Sequence, residues 1–221
     1  MSANHAAFNL IFRFVENYIS PIAGRISSQR HVMAIRDGFI SAMPFMIVGS
    51  FLLVFAYPPF SPDTTWGFAR AWLDLAKEFE GRILTPFDMT MGIMSIYICA
   101  AISYNLGKHY EKSNQLDPFM CAMLSIMAFL LIAAPKTNGT LPVDSLGGTG
   151  IFTAILVAIY CVEMMRFLKA HNIGIRLPDQ VPPMIKNSFD LLIPVLVVVL
   201  TLYPLSLFIQ HHFDMLIPQA I

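Results

Sequence analysis

The stretch FISAMPFMIVGSFLLVFAY, residues 39–57, determines the class of this protein. It lies within a longer run, residues 38–62, that contains no Asp, Glu, Lys, Arg or His. A helix rises about 1.5 Å per residue, so this stretch is long enough to cross about 30 Å of hydrocarbon. Pro44, Gly49 and Ser50 weaken a helix in water, but a membrane helix tolerates them because neighbouring helices satisfy the exposed backbone. The stretch therefore predicts a membrane-spanning helix.

The composition extends this prediction to the whole chain. Of its 221 residues, 56% are apolar and 13% are charged, against about 25% charged in soluble domains. The formal net charge of zero argues against a nucleic-acid partner, because no basic excess is present to displace counterions. Cys99, Cys121 and Cys161 each lie within an apolar run. We expect them to be buried as small hydrophobic residues rather than joined in a disulfide or metal site.

Four further apolar runs follow the first one. The five predicted spans cover approximately residues 39–57, 89–107, 118–135, 150–167 and 191–210. Ten of the 14 Lys and Arg residues fall on the side of the amino terminus. Since Lys and Arg accumulate on the cytoplasmic side, the amino terminus is predicted to be cytoplasmic and the tail, residues 211–221, to lie outside. No cleavable signal peptide is predicted, because Arg13 and Glu16 interrupt the first apolar stretch.

Two amphipathic segments are predicted beside the spans. Residues 8–23 have apolar residues at helical spacing, which is typical of a helix on a membrane surface or of one packed on the body of the protein. They belong to a cytoplasmic, basic segment, residues 1–36. Residues 65–80 are predicted to form an outer interfacial helix anchored by Trp66 and Trp72. The predicted fold is an all-α membrane protein with about five transmembrane helices and two interfacial helices, the five-span unit covering residues 37–210.

The predicted spans carry no ionisable residue near their centres. Transporters usually hold a buried acid, His or Arg, or a broken helix pair, where the substrate binds. The six histidines do not cluster, and His31 is the most interesting because it follows Arg30 and lies near Asp37. The alternative for His31 is a residue at headgroup level whose partners come from the loop. We find no nucleotide-binding, nucleophile or metal-ligating motif, and we assign no catalytic residue, cofactor or metal.

Three stretches resemble the membrane-spanning IIC component of the bacterial sugar phosphotransferase system, in its lactose/cellobiose/diacetylchitobiose branch. QRHVMAIRDGFISAMP, residues 29–44, is similar to the family stretch Q-x-H-x-x-A-I-x-x-G-F…M-P. TMGIMS, residues 90–95, is similar to T-x-G-I-x-S. LPDQVPP, residues 177–183, is followed by SF and then by LIP at residues 192–194, as in the family. The motif residues to which we assign structural roles are Gln29, His31, Ala34, Ile35, Gly38, Pro44, Gly92, Leu177, Pro178, Val181, Pro182 and Pro194.

The resemblance implies a homodimeric, multi-pass permease of the bacterial inner membrane. Such a permease carries a sugar inward, for example cellobiose, chitobiose or lactose, while a partner IIB protein, supplied by IIA, phosphorylates it. The family's amino-terminal spans form the scaffold and the dimer interface, and its carboxy-terminal half holds the His and Glu that bind sugar. This sequence ends at Ile221, before that half, so we transfer no sugar-binding residue to it.

Two hypotheses about function follow from the resemblance. In the first, the chain is a component of a sugar permease, truncated before the sugar-binding half and able to transport only if that half is supplied. In the second, it is a transport-inactive membrane scaffold that dimerises or pairs with an intact permease. A membrane enzyme is disfavoured, because no nucleophile, general base or metal-ligating set is visible in the sequence.

Overall fold

The computed structural model describes residues 16–17, 20–114, 116–135, 142–175, 189–213 and 216–220. Within these residues, every regular element is helical. The elements are α1 (Ser20–Ser27), α2 (Arg30–Ala56), α3 (Gly67–Asp88), α4 (Met94–Asn114), α5 (Pro118–Ala133), a 3-10 turn (Gly148–Gly150), α6 (Ile151–Ala170), α7 (Leu192–Phe213) and α8 (Ile217–Ala220). The prediction of an all-α membrane protein is therefore confirmed.

Three described helices are long and apolar enough to cross a membrane: α2, α6 with its preceding 3-10 turn, and α7. Helix α5 is also apolar but has only 16 residues. Helix α4 carries charged residues in its last turns, among them Lys108, Glu111 and Lys112, and it lies between the others in the core. The five predicted spans overlap α2, α4, α5, α6 and α7 in the sequence, and the prediction that α4 and α5 also cross the membrane stays a prediction.

The helix ends differ from the predicted boundaries in four main places, one of which is that α4 ends at Asn114 rather than near residue 107. Helix α2 begins at Arg30 rather than near residue 39, because no breaker separates the basic segment from the apolar run. Helix α3 continues to Asp88 rather than ending near residue 80. Turns occupy residues 89–93 and α4 begins only at Met94.

Helix α4 is the centre of the core and packs against α2, α5 and α6. It contributes the fully buried side chains of Ile98, Ile102 and Leu106. Helix α2 meets it through the small residues Ala34, Gly38 and Ala42, and Gly49 further along α2 faces residues 90–91. Small residues let membrane helices approach closely, which gives van der Waals contact where the hydrophobic effect provides no driving force.

Two irregular segments meet at the first turn of α4. The backbone N–H of Ser95 donates to Leu146 O at 2.9 Å, and its hydroxyl donates to the carbonyl of Gly147. A Cβ on Gly147 would lie 3.1 Å from the carbonyl oxygen of Gly92. The glycines therefore allow residues 89–93 and 142–150 to pack backbone against backbone. Such contacts are how non-helical backbone becomes tolerable at membrane depth.

Helix α3 is amphipathic, as predicted, but its two tryptophans differ. Trp66 is exposed, whereas Trp72 is half-buried and its indole N–H donates to Phe55 O at 3.2 Å. The small residues Ala69 and Ala76 are buried, and α3 packs on α2. One side of α3 therefore docks on the protein, and its exposed aromatic residues remain available to a membrane interface.

The three cysteines are free and buried, which confirms the prediction that they act as small hydrophobic residues. They lie on α4, α5 and α6, one on each helix. Helix α5 is started by Asp117, whose carboxylate accepts the backbone N–H groups of Phe119 and Met120, with Pro118 in the first turn. An acidic cap followed by proline is a favourable start for a helix.

Candidate functional site: a polar cluster at one end of the core

Three helices bring polar side chains together at one end of the core. The Oε1 atom of Glu163 on α6 lies 2.9 Å from Nε2 of His31 on α2. The same oxygen accepts the hydroxyl hydrogen of Tyr110 on α4 at 2.7 Å. The other oxygen, Oε2, lies 2.8 Å from a guanidinium nitrogen of Arg166, one turn further along α6. One carboxylate therefore joins α2, α4 and α6.

The cluster is partly shielded from water. The side chains of His31 and Glu163 are 31% and 26% exposed, and Tyr110 is buried. The guanidinium carbons of Arg30 and Arg166 lie 5.4 and 4.8 Å from the centroid of the Tyr110 ring, within the range of cation–π attraction. The ion pair with Arg166 offsets part of the cost of removing the carboxylate from water.

Tyr110 lies beyond the predicted span 89–107 and remains protonated in this environment. Burial raises the pKa of its phenol, and the hydrogen bond to Glu163 raises it further, although Arg166 acts in the opposite direction. The phenol is therefore a hydrogen-bond donor at neutral pH. The hydrogen bonds and the ion pair of the cluster therefore link α2, α4 and α6 at this end of the core.

His31 does not bind the partner that the sequence suggested. Asp37, the nearby acid, pairs instead with Arg36 at 2.8 Å. The partner of His31 is Glu163, 132 residues away in the chain. The partner of His31 therefore comes from α6 and not from the local loop.

Several motif residues of α2 have a packing role in the structure. Ala34 is fully buried and Ile35 packs against the core. A Cβ on Gly38 would lie 2.9 Å from the backbone N of Ile102 and would clash with the side chain of that residue. Gln29 is the N-cap residue of α2, but its side chain makes no capping hydrogen bond. The motif residues thus let α2 and α4 approach closely next to the polar cluster. We call this close contact, in which Gly38 faces Ile102, the α2 seam.

The motif glycine and prolines outside this seam have different surroundings. A Cβ on Gly92 would lie 2.7 Å from Cα of Asp88, so only glycine fits this turn. Pro44 lies inside α2 and is exposed. Pro194 is buried in the first turn of α7, where a missing backbone N–H costs little. Pro204, by contrast, lies inside α7.

The remaining predicted residues, Leu177, Pro178, Val181 and Pro182, lie outside the described residues. So does most of the predicted amphipathic segment, residues 8–23, of which the structure describes residues 16–17 and the start of α1. Their assigned roles stay predictions.

Sequence reasoning did not identify Glu163 as the centre of the site. The residue directly follows a charge-free run, residues 145–162, and it precedes Arg166 by three positions. An acid and a base on one face of a largely apolar helix indicate a paired group. That signal gives no information on the contacts with α2 and α4, since these depend on tertiary packing.

Apolar helices long enough to cross a bilayer, joined at one end by an ionic cluster, define an integral membrane protein of the helical class. The family described as "Phosphotransferase system, EIIC" matches residues 36–220. The chain belongs to this family.

Known proteins of this family resemble the chain over nearly its whole length. It is 35% identical over 206 residues to the PTS system cellobiose-specific EIIC component of Geobacillus stearothermophilus, covering 85% of this chain and 43% of that protein. It is 32% identical over 207 residues to the PTS system lactose-specific EIICB component of Streptococcus mutans, covering 91% of this chain and 35% of that protein.

A solved structure has the same fold. It is the transporter ChbC, the IIC component from the N,N'-diacetylchitobiose-specific phosphotransferase system, with a TM-score of 0.77 and 32% identity. The match covers 94% of this chain and 49% of the ChbC chain. The chain thus spans about half the length of the EIIC proteins that it matches, or less.

Proposed function

We propose that this chain forms the scaffold half of a sugar permease of the phosphotransferase system in the bacterial inner membrane, with a cytoplasmic amino terminus. The observation that supports this most is the family match over residues 36–220. Relatives named for cellobiose and lactose, and a solved relative named for N,N'-diacetylchitobiose, favour a β-linked disaccharide as the substrate. IIB and IIA proteins are the proposed partners, and transport requires that the sugar-binding half be supplied.

The polar cluster and the α2 seam support a scaffold role. Both fix α2 against α4, the cluster through Glu163 at one end and the seam through Gly38 and Ile102. A carrier that alternates between two faces needs one rigid part against which the other moves. The exposed face of α2, which includes Ile40, Ile47 and Phe51, is available to lipid or to a second copy of the chain. We propose a homodimer on this basis, and the mass of the solubilised complex tests it.

A second candidate is a transport-inactive scaffold that pairs with an intact permease. The two oxygens of Glu163 both bind side chains of this chain, which is compatible with this candidate as well as with the first. A carboxylate engaged in this way stabilises the protein and is less available to a sugar.

An uptake assay separates the two candidates. Cells that lack their own EIIC but contain IIA and IIB would receive the chain alone, the chain with the carboxy-terminal half of the Geobacillus relative, or an empty vector. We expect radiolabelled, phosphorylated cellobiose, lactose or N,N'-diacetylchitobiose only inside the cells that contain both the chain and the carboxy-terminal half of the Geobacillus relative. If the chain instead lowers uptake by a co-expressed intact permease, the scaffold candidate is supported. The permease proposal would be rejected if no combination accumulates any of the three sugars.

A further inference from the structure

Helix α1, Ser20–Ser27, precedes α2 and presents apolar side chains to the surroundings. None of its described residues is buried. Ile22 and Ile26 are 59% and 55% exposed and lie one turn apart on one face. An isolated helix of this length is not stable in water, so an apolar face of this kind requires an apolar surface beside it.

Two arginines lie close to this apolar pair in the sequence. Arg25 is in the last turn of α1 and Arg30 is the first residue of α2. The ring of Tyr110 holds the guanidinium of Arg30 at 5.4 Å from its centroid. Within the described part of the chain, neither arginine forms an ion pair with a carboxylate, whereas the neighbouring Arg36 is paired with Asp37.

The position of α1 relative to the bilayer follows from α2. Helix α2 begins three residues after α1 ends, and its apolar residues from Ile40 onward are exposed in the manner of lipid-facing residues. Helix α1 therefore lies near the depth of the lipid headgroups, where apolar side chains reach the acyl chains and arginines reach the phosphates.

We propose that α1 and the first residue of α2 form a binding surface for an anionic phospholipid. The headgroup phosphate interacts with Arg25 and Arg30, and the acyl chains contact Ile22 and Ile26. An acidic soluble protein would match the two arginines but would not account for the exposed isoleucines beside them. This surface is independent of the proposed sugar permease function, because it requires neither a sugar nor the IIB protein.

The test compares two matched pairs of substitutions in the full chain, reconstituted in nanodiscs that contain phosphatidylglycerol and phosphatidylcholine. The first is Arg25→Gln with Arg30→Gln. The control is Arg70→Gln with Arg82→Gln, since Arg82 also lies over an aromatic ring, that of Phe79, at 5.6 Å. Retained lipid is counted by native mass spectrometry. Each basic residue near an anionic surface contributes about 1 kcal/mol, so we expect phosphatidylglycerol retention to weaken about 30-fold in the first pair and to be unchanged in the control.

Further measurements identify the ligand and check the fold. Ile22→Ser with Ile26→Ser should also reduce phosphatidylglycerol retention, while helicity by circular dichroism stays at the wild-type value in every variant. Inorganic phosphate should compete poorly, because it lacks the acyl chains. Equal retention of the two lipids, equal loss in both arginine pairs, or full competition by inorganic phosphate would overturn the proposal. Unchanged phosphatidylglycerol retention in the Arg25 and Arg30 variant would likewise overturn the proposal.

Discussion

Helices α4 and α7 differ in an unexpected way: α7 is the more apolar of the two, but α4 is the more buried. Helix α7 is the most apolar of the candidate spans, yet Leu200 at its centre is 65% exposed. Helix α4 is not among the candidate spans of the described chain, yet it contributes Ile98, Ile102 and Ser103, all fully buried, to the core. In a soluble protein the more apolar helix would be the more buried one.

The surrounding medium accounts for this inversion. Hydrocarbon accepts leucine as readily as a protein interior does, so apolar character does not drive α7 into the core. Burial instead follows close packing and hydrogen bonding. Helix α4 offers both, through the small-residue face of α2 and through Tyr110 in the polar cluster.

The substitution Gly38→Leu should have the largest effect. The added side chain would meet the backbone and side chain of Ile102, so α2 would have to separate from α4. We expect a large loss of folded, monodisperse protein after detergent extraction, measured by size-exclusion chromatography. Gly81→Leu on α3 is the matched control, because a Cβ there meets nothing within 4 Å. Ser50→Ala should also be nearly neutral, and equal behaviour of the Gly38 and Ser50 variants would contradict the seam.

Truncation of one residue on each of the two compared helices tests the inversion directly. Ile102→Ala should lower the free energy of unfolding by about 3 kcal/mol, because it leaves a cavity in the core. Leu200→Ala should change it little, because lipid or detergent fills the space. Unfolding by added denaturing detergent measures both. A similar loss in the two variants would show that α7 is packed against protein rather than lipid.

Replacement of the central carboxylate should have a moderate effect. Glu163→Gln weakens the hydrogen bonds and ion pairs with His31, Tyr110 and Arg166, and we expect a loss of about 2 kcal/mol for a partly exposed group. The control is Asp37→Asn, which breaks the exposed pair with Arg36 and should cost less than about 1 kcal/mol. The same detergent titration compares them, and a larger loss in the control would argue against the cluster as a structural link.

The pH dependence of stability provides an independent measurement of the cluster. The pKa of Tyr110 is raised by burial and by Glu163, so the folded protein binds this proton more tightly than the unfolded chain does. This stability is fully present below the ordinary tyrosine pKa of about 10 and is lost as the pH rises through the raised pKa. In the Glu163→Gln variant, the free energy of unfolding should fall by less above pH 10 than in the wild type. An equal fall in the two proteins would mean that burial alone raises the pKa of Tyr110.

The smallest expected effect concerns the attachment of α7. The hydroxyl groups of Tyr160 on α6 and Thr201 on α7 lie 2.6 Å apart. Interhelical hydrogen bonds of this kind contribute about 0.6 kcal/mol in membrane proteins. A double-mutant cycle with Tyr160→Phe and Thr201→Val measures the coupling. A coupling of zero would mean that α7 is positioned by packing alone.

Much of the fold was predictable because the membrane acts on local composition. The charge-free run at residues 38–62 predicts α2, and the charged and apolar alternation at residues 65–80 predicts most of α3. Helix ends were less predictable, since the turn that follows α3 depends on the backbone hydrogen bond from Gly92 N–H to Phe87 O and on space that only glycine leaves beside Asp88. The candidate site was predicted only in part, because His31 was singled out but its partner was not.

The amino-acid sequence by itself determined that this chain is a helical membrane protein, and its motifs indicated the EIIC family. These properties depend on the length of apolar runs and on residue types at fixed spacing, which do not require knowledge of the fold. Only the tertiary structure decided that α4 is buried while α7 is exposed, and that Glu163 joins His31 and Tyr110. The physical reason is that lipid and protein interior are equally apolar, so the choice between them depends on contacts between residues far apart in the chain.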